Sequence, residues 1–318
     1  MTNVKAVKCI NRSGKQSLKK KIWQQKGLYL MLAPAFLCIL IFNYIPIFGW
    51  IMAFTDYRLG SAMFDAPWVG LKYFKEFFAD GGDAKRVIVN TLVMNVGSLV
   101  IGLGAALCFA IFLKEVRWKR FQNIVQSVTF FPYFMSWVII YAVVYALFSN
   151  SSGAINNVLL SWGIISKPID LLGNPAYSWV LIIAVNVWNT LGYNSVIFIS
   201  GIAGIADEQY EAAVIDGAGR FQKIRYVTLP NLMPTLAVLI IMNSGWIFNS
   251  ALDQYFVFTN SMNIASMDVF DYYIYRFGLK LGNYSYATAV GIIKTGISIL
   301  LLVVVNRISK KLTDRSIF

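Results

Sequence analysis

Long apolar runs dominate the chain, and two of them contain no charged residue over the length that a membrane span requires. These runs cover residues 27–55 and 171–206. A charge-free apolar stretch of more than about 18 residues is typical of a transmembrane helix. The same test along the chain predicts six such helices, at residues 28–54, 88–113, 123–148, 177–201, 230–252 and 286–306. The predicted fold class is therefore an all-α integral membrane protein with six transmembrane helices.

The boundary between the third and fourth spans is set by polar residues and not by charge, since residues 121–166 contain no charge at all. Ser, Asn and Gly residues at 149–153 interrupt this run, and such clusters mark loops. We therefore assign 149–176 to a loop with a short surface helix. Pro132 lies inside the third span, where a membrane helix tolerates it as a kink.

Composition supports a membrane protein and excludes several other classes. Apolar residues make up 58% and charged residues 14% of the chain, against about 45–50% and 25% in soluble domains. The chain contains no histidine, which excludes histidine-based acid–base catalysis, histidine metal ligands and a Ser-His-Asp triad. Its three cysteines, Cys9, Cys38 and Cys108, have no disulfide or zinc-site spacing. We therefore predict no catalytic residue and no metal site.

The distribution of basic residues predicts the orientation in the membrane. The tails and loops on the side of the two termini carry 19 Lys and Arg residues, against 8 on the other side. Basic residues remain in the cytoplasm, so both termini are expected there. The expected organisation is a basic tail at 1–27, a transmembrane domain at 28–306 and a second tail at 307–318. The net charge of +13 is explained by this topology, and no nucleic-acid partner is expected.

The cytoplasmic link between the fourth and fifth spans, residues 207–226, has its own local pattern. Asp207 suits a helix N-cap, and an apolar face follows at Tyr210, Ala213, Val214 and Gly217. Gly217 suits the left-handed residue that ends a helix, and a second short helix is predicted at 220–226. One interpretation is an amphipathic helix resting on lipid headgroups. The acidic first helix argues against an anionic lipid surface.

This link matches a family pattern. The cytoplasmic motif of the membrane subunits of binding-protein-dependent ABC importers reads E-A-A, three residues, Gly, nine residues, Ile, one residue, Leu-Pro. The chain has Glu211-Ala212-Ala213, Gly217, Val227 in place of Ile, and Leu229-Pro230. Six fixed identities give on the order of one chance match per ten million starting positions. The chain thus resembles these permeases, and the resemblance implies the type I ABC importer permease fold.

The resemblance implies a role for the link and a set of partners. In the family this segment docks on an ATPase subunit, so 207–226 is interpreted as the coupling loop, with contact residues at Glu211, Ala212, Ala213, Asp216, Gly217, Ala218, Leu229 and Pro230. The implied partners are a second, homologous permease, two ATPase subunits and an extracellular or periplasmic sugar-binding protein. The chain has no G-x-x-x-x-G-K-[ST] loop. ATP and Mg²⁺ are therefore expected on the ATPase subunits, with no cofactor on this chain.

Further stretches resemble the maltose-type carbohydrate permeases, in particular the branch that imports oligosaccharides from complex polysaccharides. They lie at residues 42–46, 68–74, 90–92 and 131–137. The expected location is the bacterial cytoplasmic membrane. An oligosaccharide is the expected cargo, moved by alternating access.

Polar residues inside the spans are candidates for the substrate path. Amide groups and aromatic rings together suit the hydroxyls and C–H faces of sugars. The fourth and fifth spans supply such residues on one face each, namely Asn186, Trp188, Asn189, Tyr193, Asn243, Trp246 and Asn249. The alternative interpretation is that each Asn bonds a neighbouring helix.

Lys294 is the one charged residue well inside a predicted span, and a buried ammonium group requires a partner. An acid on a partner subunit and an acidic sugar are two candidates. Asp253, Asp268 and Asp271 are expected near the outer face, in contact with solvent.

The sequence leaves other functions open. The same machinery could import glycerol phosphate, a polyamine or another small solute, since the motif does not specify the cargo. A membrane-embedded glycan enzyme would require clustered acids or histidines. A channel or an ion-driven transporter would leave the motif at 211–230 unexplained.

Overall fold

The computed structural model describes residues 25–79 and 83–313. Most of the predicted N-terminal tail, residues 1–24, and the end of the C-terminal tail, residues 314–318, lie outside the described residues. The described part is helical apart from its connecting loops and one isolated bridge between Thr55 and Trp68. In chain order the helices are α1 (Lys26–Phe54), α2 (Lys72–Ala79), α3 (Asp83–Glu115), α4 (Lys119–Phe134), α5 (Trp137–Phe148), α6 (Ala154–Ser161), α7 (Pro175–Ala203), α8 (Asp207–Ile215), α9 (Arg220–Ser244), α10 (Leu252–Phe258), α11 (Ile264–Met267), α12 (Phe270–Tyr275) and α13 (Tyr284–Thr313).

Five of the described helices, α1, α3, α7, α9 and α13, are long and apolar enough to cross a membrane. The predicted third span is wrong as a continuous helix, because α4 and α5 meet at an angle of 110°. The break lies at Met135 and Ser136, which are both extended, and Ser136 accepts a hydrogen bond from the Ile139 N–H to begin α5. Six spans are reached only if this bent pair counts as one.

The predicted fifth span is displaced along the chain. It begins at Arg220 and ends at Ser244, so the short helix expected at 220–226 is continuous with the span. A wider π-turn at Ile224–Thr228 lies just before Pro230. Proline has no N–H to donate to the preceding turn, and such π-turns accommodate local irregularity in a helix.

Helices α3 and α7 pack side by side along their length and form the centre of the bundle. Small residues make this contact close. Ala106 and Ala110 of α3 are fully buried in one cluster with Phe198 and Ile202 of α7. Small side chains let membrane helices approach each other, where dispersion contacts replace the hydrophobic effect as the source of stability.

Polar side chains link the start of α3 to the segment after α10. The expectation that Asp268 contacts solvent is wrong, since this residue is completely buried and pairs with Arg86 (3.3 Å) and with Arg276. Asn90 donates to the Ala265 carbonyl at 3.0 Å. Asp253, in contrast, is exposed as expected.

Candidate functional site

The segment between α7 and α9 forms a short helix with a defined stop. Helix α8 begins at Asp207, and its N-cap residue is Ala206. The prediction that Asp207 is the N-cap is therefore wrong by one residue. At the other end Gly217 has φ +76°, its N–H donates to the Val214 carbonyl at 3.0 Å, and the Ala218 N–H donates to the Ala213 carbonyl at 2.8 Å. This pair of bonds is the Schellman motif. The predicted left-handed stop at Gly217 is therefore present.

Side-chain bonds attach this segment to the ends of two spans. Tyr210 and Thr228 share a hydroxyl–hydroxyl bond of 3.0 Å, and Asn231 donates to the Gln209 side chain at 2.8 Å. Arg220 pairs with Glu115, the last residue of α3, at 2.7 Å. The Arg220–Glu115 pair is largely exposed and contributes at most about 1 kcal/mol. The first two contacts orient α8 relative to α9, and the ion pair links the start of α9 to the end of α3.

The outer surface of this segment presents acidic and apolar side chains, most of which are exposed. Glu211 and Ala212 are exposed, and Ala213 is half-buried. Ile215 is 86% and Phe221 81% exposed. Exposed apolar groups beside a charged one are typical of a protein-binding surface. Of the other predicted contact residues, Asp216, Gly217 and Pro230 are exposed, whereas Ala218 and Leu229 are half-buried.

A partly open polar cavity of about 320 Å³ lies between α3, α7, the end of α4 and the end of α9. Some of its lining residues, such as Trp246, are exposed. Five residues of the predicted substrate path line it together, namely Asn186, Tyr193, Asn243, Trp246 and Asn249. Trp246 and Asn249 lie in the turns after Ser244, where α9 has ended. The prediction that they continue one helix face is therefore wrong, although both still line the cavity with Asn243.

Two residues of the predicted path lie elsewhere. Asn189 is buried and donates to the Pro132 carbonyl at 2.7 Å, so its amide serves a helix contact. Trp188 lines a separate apolar groove between α5 and α7. A helix turns about 100° per residue, so neighbours of Asn186 and Tyr193 in the sequence point to different sides of α7.

Other lining residues of the cavity were not predicted from the sequence. Asn95 and Ser98 of α3, Thr190 of α7 and Tyr133 at the end of α4 all face the cavity. A polar residue inside an apolar span is a signal for Asn95. Tyr133 offered no such signal, because the break that turns it towards the cavity was not predicted.

The cavity has the groups that a neutral hydroxylated molecule requires. The Tyr133 and Tyr193 rings stack with their centroids 4.4 Å apart and their planes 8° apart. The side chains of Asn194 and Asn249 make no hydrogen bond to any of the described residues, so their amides are available to a ligand. Amides offer both donors and acceptors, and aromatic rings offer an apolar face.

An ion pair positions one wall of the cavity. Lys294 of α13 contacts Asp271 of α12 at 2.6 Å, and Asp271 also accepts a bond of 2.7 Å from the Ser250 N–H. Asn95 donates to the Ile247 carbonyl at 2.6 Å and to the Ser250 hydroxyl at 3.0 Å. The partner of Lys294 is thus an acid of its own chain and neither of the two expected candidates, a partner subunit's acid or an acidic sugar. Asp271, expected in contact with solvent, is mostly buried, with 22% of its side chain exposed. These bonds fix the turn 245–251.

Comparison with known proteins agrees with this arrangement. A family model of the binding-protein-dependent transport system inner membrane component matches residues 98–315. The chain belongs to this family. It is a multi-pass permease of the cytoplasmic membrane, and therefore a transport component and not an enzyme.

Relatives extend the likeness beyond the family model. This permease is 35% identical to protein LplB of Bacillus subtilis, over 93% of this chain and 92% of the relative. It is 33% identical to the polygalacturonan/rhamnogalacturonan transport system permease protein YteP of the same organism, over 94% and 92%.

A solved structure shows the same fold. A chain of a bacterial ABC transporter involved in the import of the acidic polysaccharide alginate superimposes with a TM-score of 0.85. The two are 32% identical, and the match covers 94% of this permease and all of that chain. The predicted type I ABC importer permease fold is confirmed.

Proposed function

We propose that this permease is one subunit of an ATP-driven importer that moves an oligosaccharide delivered by an extracellular binding protein. The observation that carries the proposal is the polar cavity, where free amides lie beside a pair of stacked tyrosines. Oligosaccharides present hydroxyls along their edges and C–H groups on their faces, which these two kinds of side chain complement. Two further supports are the relative named for polygalacturonan and rhamnogalacturonan transport and the similar chain of the alginate importer.

The segment 207–226 would be the contact with an ATPase subunit. Glu211 has no hydrogen bond or ion pair to the described residues, and it lies on the exposed side of α8 with Ala212. In this role Glu211 makes the polar contact and Ala212 and Ala213 form the packed face. The left-handed turn at Gly217 fixes the angle between α8 and α9.

Coupling would follow from the short connections at the two ends of α8. Only residues 204–206 separate α7 from α8, and four residues separate α8 from α9. A displacement of α8 by closure of the ATPase pair therefore reaches α7 and α9, whose residues line the cavity. Alternating access of the cavity to the two sides of the membrane is the expected result. ATP and Mg²⁺ would be bound by the ATPase subunits, and a second permease would complete the path.

Partner identification tests the assembly. The tagged permease is purified from its native cells in a mild detergent, and the proteins that accompany it are identified by mass spectrometry. We expect a second six-span permease and an ATPase. Recovery of this chain alone, or as a homo-oligomer without an ATPase, would contradict the proposal.

Substitution of the free amides tests the cargo site. In the reconstituted importer, Asn194→Ala and Asn249→Ala are each expected to raise the KM for oligosaccharide uptake about two- to tenfold, the equivalent of one hydrogen bond. Asn157→Ala is the matched control, because Asn157 is exposed on α6 and outside the cavity.

The cargo is tested in the same assay by comparing neutral oligosaccharides, acidic oligosaccharides, glycerol phosphate and a polyamine. Uptake of an oligosaccharide supports the proposal. Uptake of glycerol phosphate or the polyamine without uptake of any oligosaccharide argues against an oligosaccharide path through this cavity. A KM that neither Asn substitution changes argues against it as well.

A further inference from the structure

The break between α4 and α5 is held by one turn of α7. Asn189, Gly192 and Tyr193 are spaced i, i+3 and i+4 and therefore lie on one side of that helix. Each of them faces the last two turns of α4. Asn189 donates to the Pro132 carbonyl at 2.7 Å, and Tyr193 stacks on Tyr133.

Gly192 brings the two backbones into direct contact. A Cβ at this position would lie 2.5 Å from the Phe130 Cα and 2.5 Å from the Thr129 carbonyl oxygen. Both are backbone atoms and have no rotamer by which to move away. Only glycine therefore allows this approach, and any larger residue would push the end of α4 away from α7.

The hydrogen bond from Asn189 orients the end of α4, and it is not the only bond that the Pro132 carbonyl accepts. The Pro132 carbonyl already accepts a bond of 3.1 Å from the Met135 N–H within its own turn. Loss of the Asn189 amide would therefore leave no buried acceptor without a donor. What would be lost is the directional link that fixes the turn carrying Tyr133 relative to α7.

We propose that Asn189 and Gly192 are positioning residues for the cargo: they hold the break of the third span against α7, so that Tyr133 stands in the cavity wall beside Tyr193. Tyr133 then contacts the sugar, and Asn189 and Gly192 act through it. This inference rests on the proposed function, since it assigns the role of Tyr133 in the same cavity.

The first test compares single substitutions in the reconstituted importer. Asn189→Leu keeps the side-chain size and removes the donor, and it is expected to raise the KM for uptake about two- to tenfold with little change in the maximal rate. Asn189→Gln keeps an amide donor and is expected to recover part of the affinity. Gly192→Ala forces the backbones apart and is expected to raise KM about tenfold or more.

Matched controls separate this effect from general damage to the helices. Ser195 lies one turn further along α7, is fully buried, and makes a bond of the same 2.7 Å length to Gly192 within its own helix. Gly104 is a helical glycine of α3 with open space around it. Ser195→Ala and Gly104→Ala are both expected to leave KM unchanged.

The second test is a double-mutant cycle. Its expected result differs between action of Asn189 through Tyr133 and a purely structural role of Asn189. Tyr133→Ala is expected to raise KM about two- to tenfold, the range of one aromatic contact. If Asn189 acts through Tyr133, adding Asn189→Leu to Tyr133→Ala produces no further increase. Additive losses accompanied by a lower Tm would assign Asn189 to helix packing alone and overturn the inference.

Failure of the inference and failure of the proposed function give different results. If the wild-type complex does not transport oligosaccharides, the proposed function fails. If it does transport them but the Asn189 and Gly192 variants match their controls, only the inference fails.

Discussion

Replacement of Glu211 by lysine is expected to abolish ATP-driven uptake and to leave the permease itself folded. Glu211 is exposed and makes no bond to the described residues, so its loss removes nothing from the internal structure. At an interface with an ATPase subunit, however, reversal of a paired charge costs about 2–5 kcal/mol. Such a loss is enough to disrupt docking or to uncouple ATP hydrolysis from transport.

The measurement combines uptake in proteoliposomes with co-purification of the ATPase. The matched control is Glu208→Lys, since Glu208 is also exposed on α8 but lies one turn earlier, outside the E-A-A residues. That change replaces a favourable charge near the helix N-terminus by an unfavourable one, and each of the two effects is worth about 0.3–1 kcal/mol. A Glu211→Lys variant with normal uptake and normal ATPase recovery would exclude the proposed role of 207–226.

Substitution of Lys294 by methionine is expected to have the largest effect on stability. Lys294 and Asp271 are 13% and 22% exposed, and their atoms lie 2.6 Å apart. The substitution leaves the Asp271 carboxylate without its cation, and loss of one partner of a buried pair costs about 3–5 kcal/mol. Uptake is expected to fall as well, because Asp271 holds the Ser250 N–H and thereby the cavity turn 245–251.

Thermal melts test whether the unpaired Asp271 charge causes this loss of stability. They compare the purified wild-type complex, Lys294→Met and the double variant Lys294→Met/Asp271→Asn. The double variant is expected to melt above Lys294→Met alone, since an uncharged amide in place of the Asp271 carboxylate removes the unpaired charge and still accepts the Ser250 bond. Lys280→Met is the control, because Lys280 is exposed and has no ion pair within the described residues. If Lys294→Met and the double variant both melt with the wild type, the pair does not stabilise this region.

Local patterns in the sequence predicted those parts of the site that depend on neighbouring residues. The left-handed turn at Gly217 is one example, because a glycine at the end of an amphipathic helix has few alternatives. The helix that begins at Asp207 is another, although its N-cap residue is Ala206, which makes no side-chain capping bond, and not Asp207.

Predictions that assumed a continuous helix were less accurate. The face formed by Asn243, Trp246 and Asn249 was expected on one helix, but α9 ends at Ser244 and the last two residues reach the cavity from turns. The same assumption placed Trp188 and Asn189 on the substrate path, whereas packing of α4 and α5 against α7 gave each a different neighbour. Helical periodicity assigns residues to faces, but it does not say what each face meets.

The charged residues show most directly that the sequence does not determine which residues pair. Lys294 was recognised as a buried cation in need of an acid, and this requirement follows from the cost of an unpaired charge in an apolar span. The two candidates considered from the sequence, an acid on a partner subunit and an acidic sugar, are both wrong, since the partner Asp271 is 23 residues away in another helix of the same chain. The burial of Asp268 between Arg86 and Arg276 was likewise missed, because Arg86 is 182 residues away in the sequence.

By itself the sequence determined that this chain is a membrane protein, where most of its spans lie and which segment carries the family motif. These properties depend on apolar length, on charge and on short-range spacing, which are independent of the rest of the fold. Only the tertiary structure decided where the third span breaks, which polar residues share the cavity and which acid neutralises Lys294. Each of these depends on contacts between helices that are distant in the chain, and a single sequence does not specify such pairings.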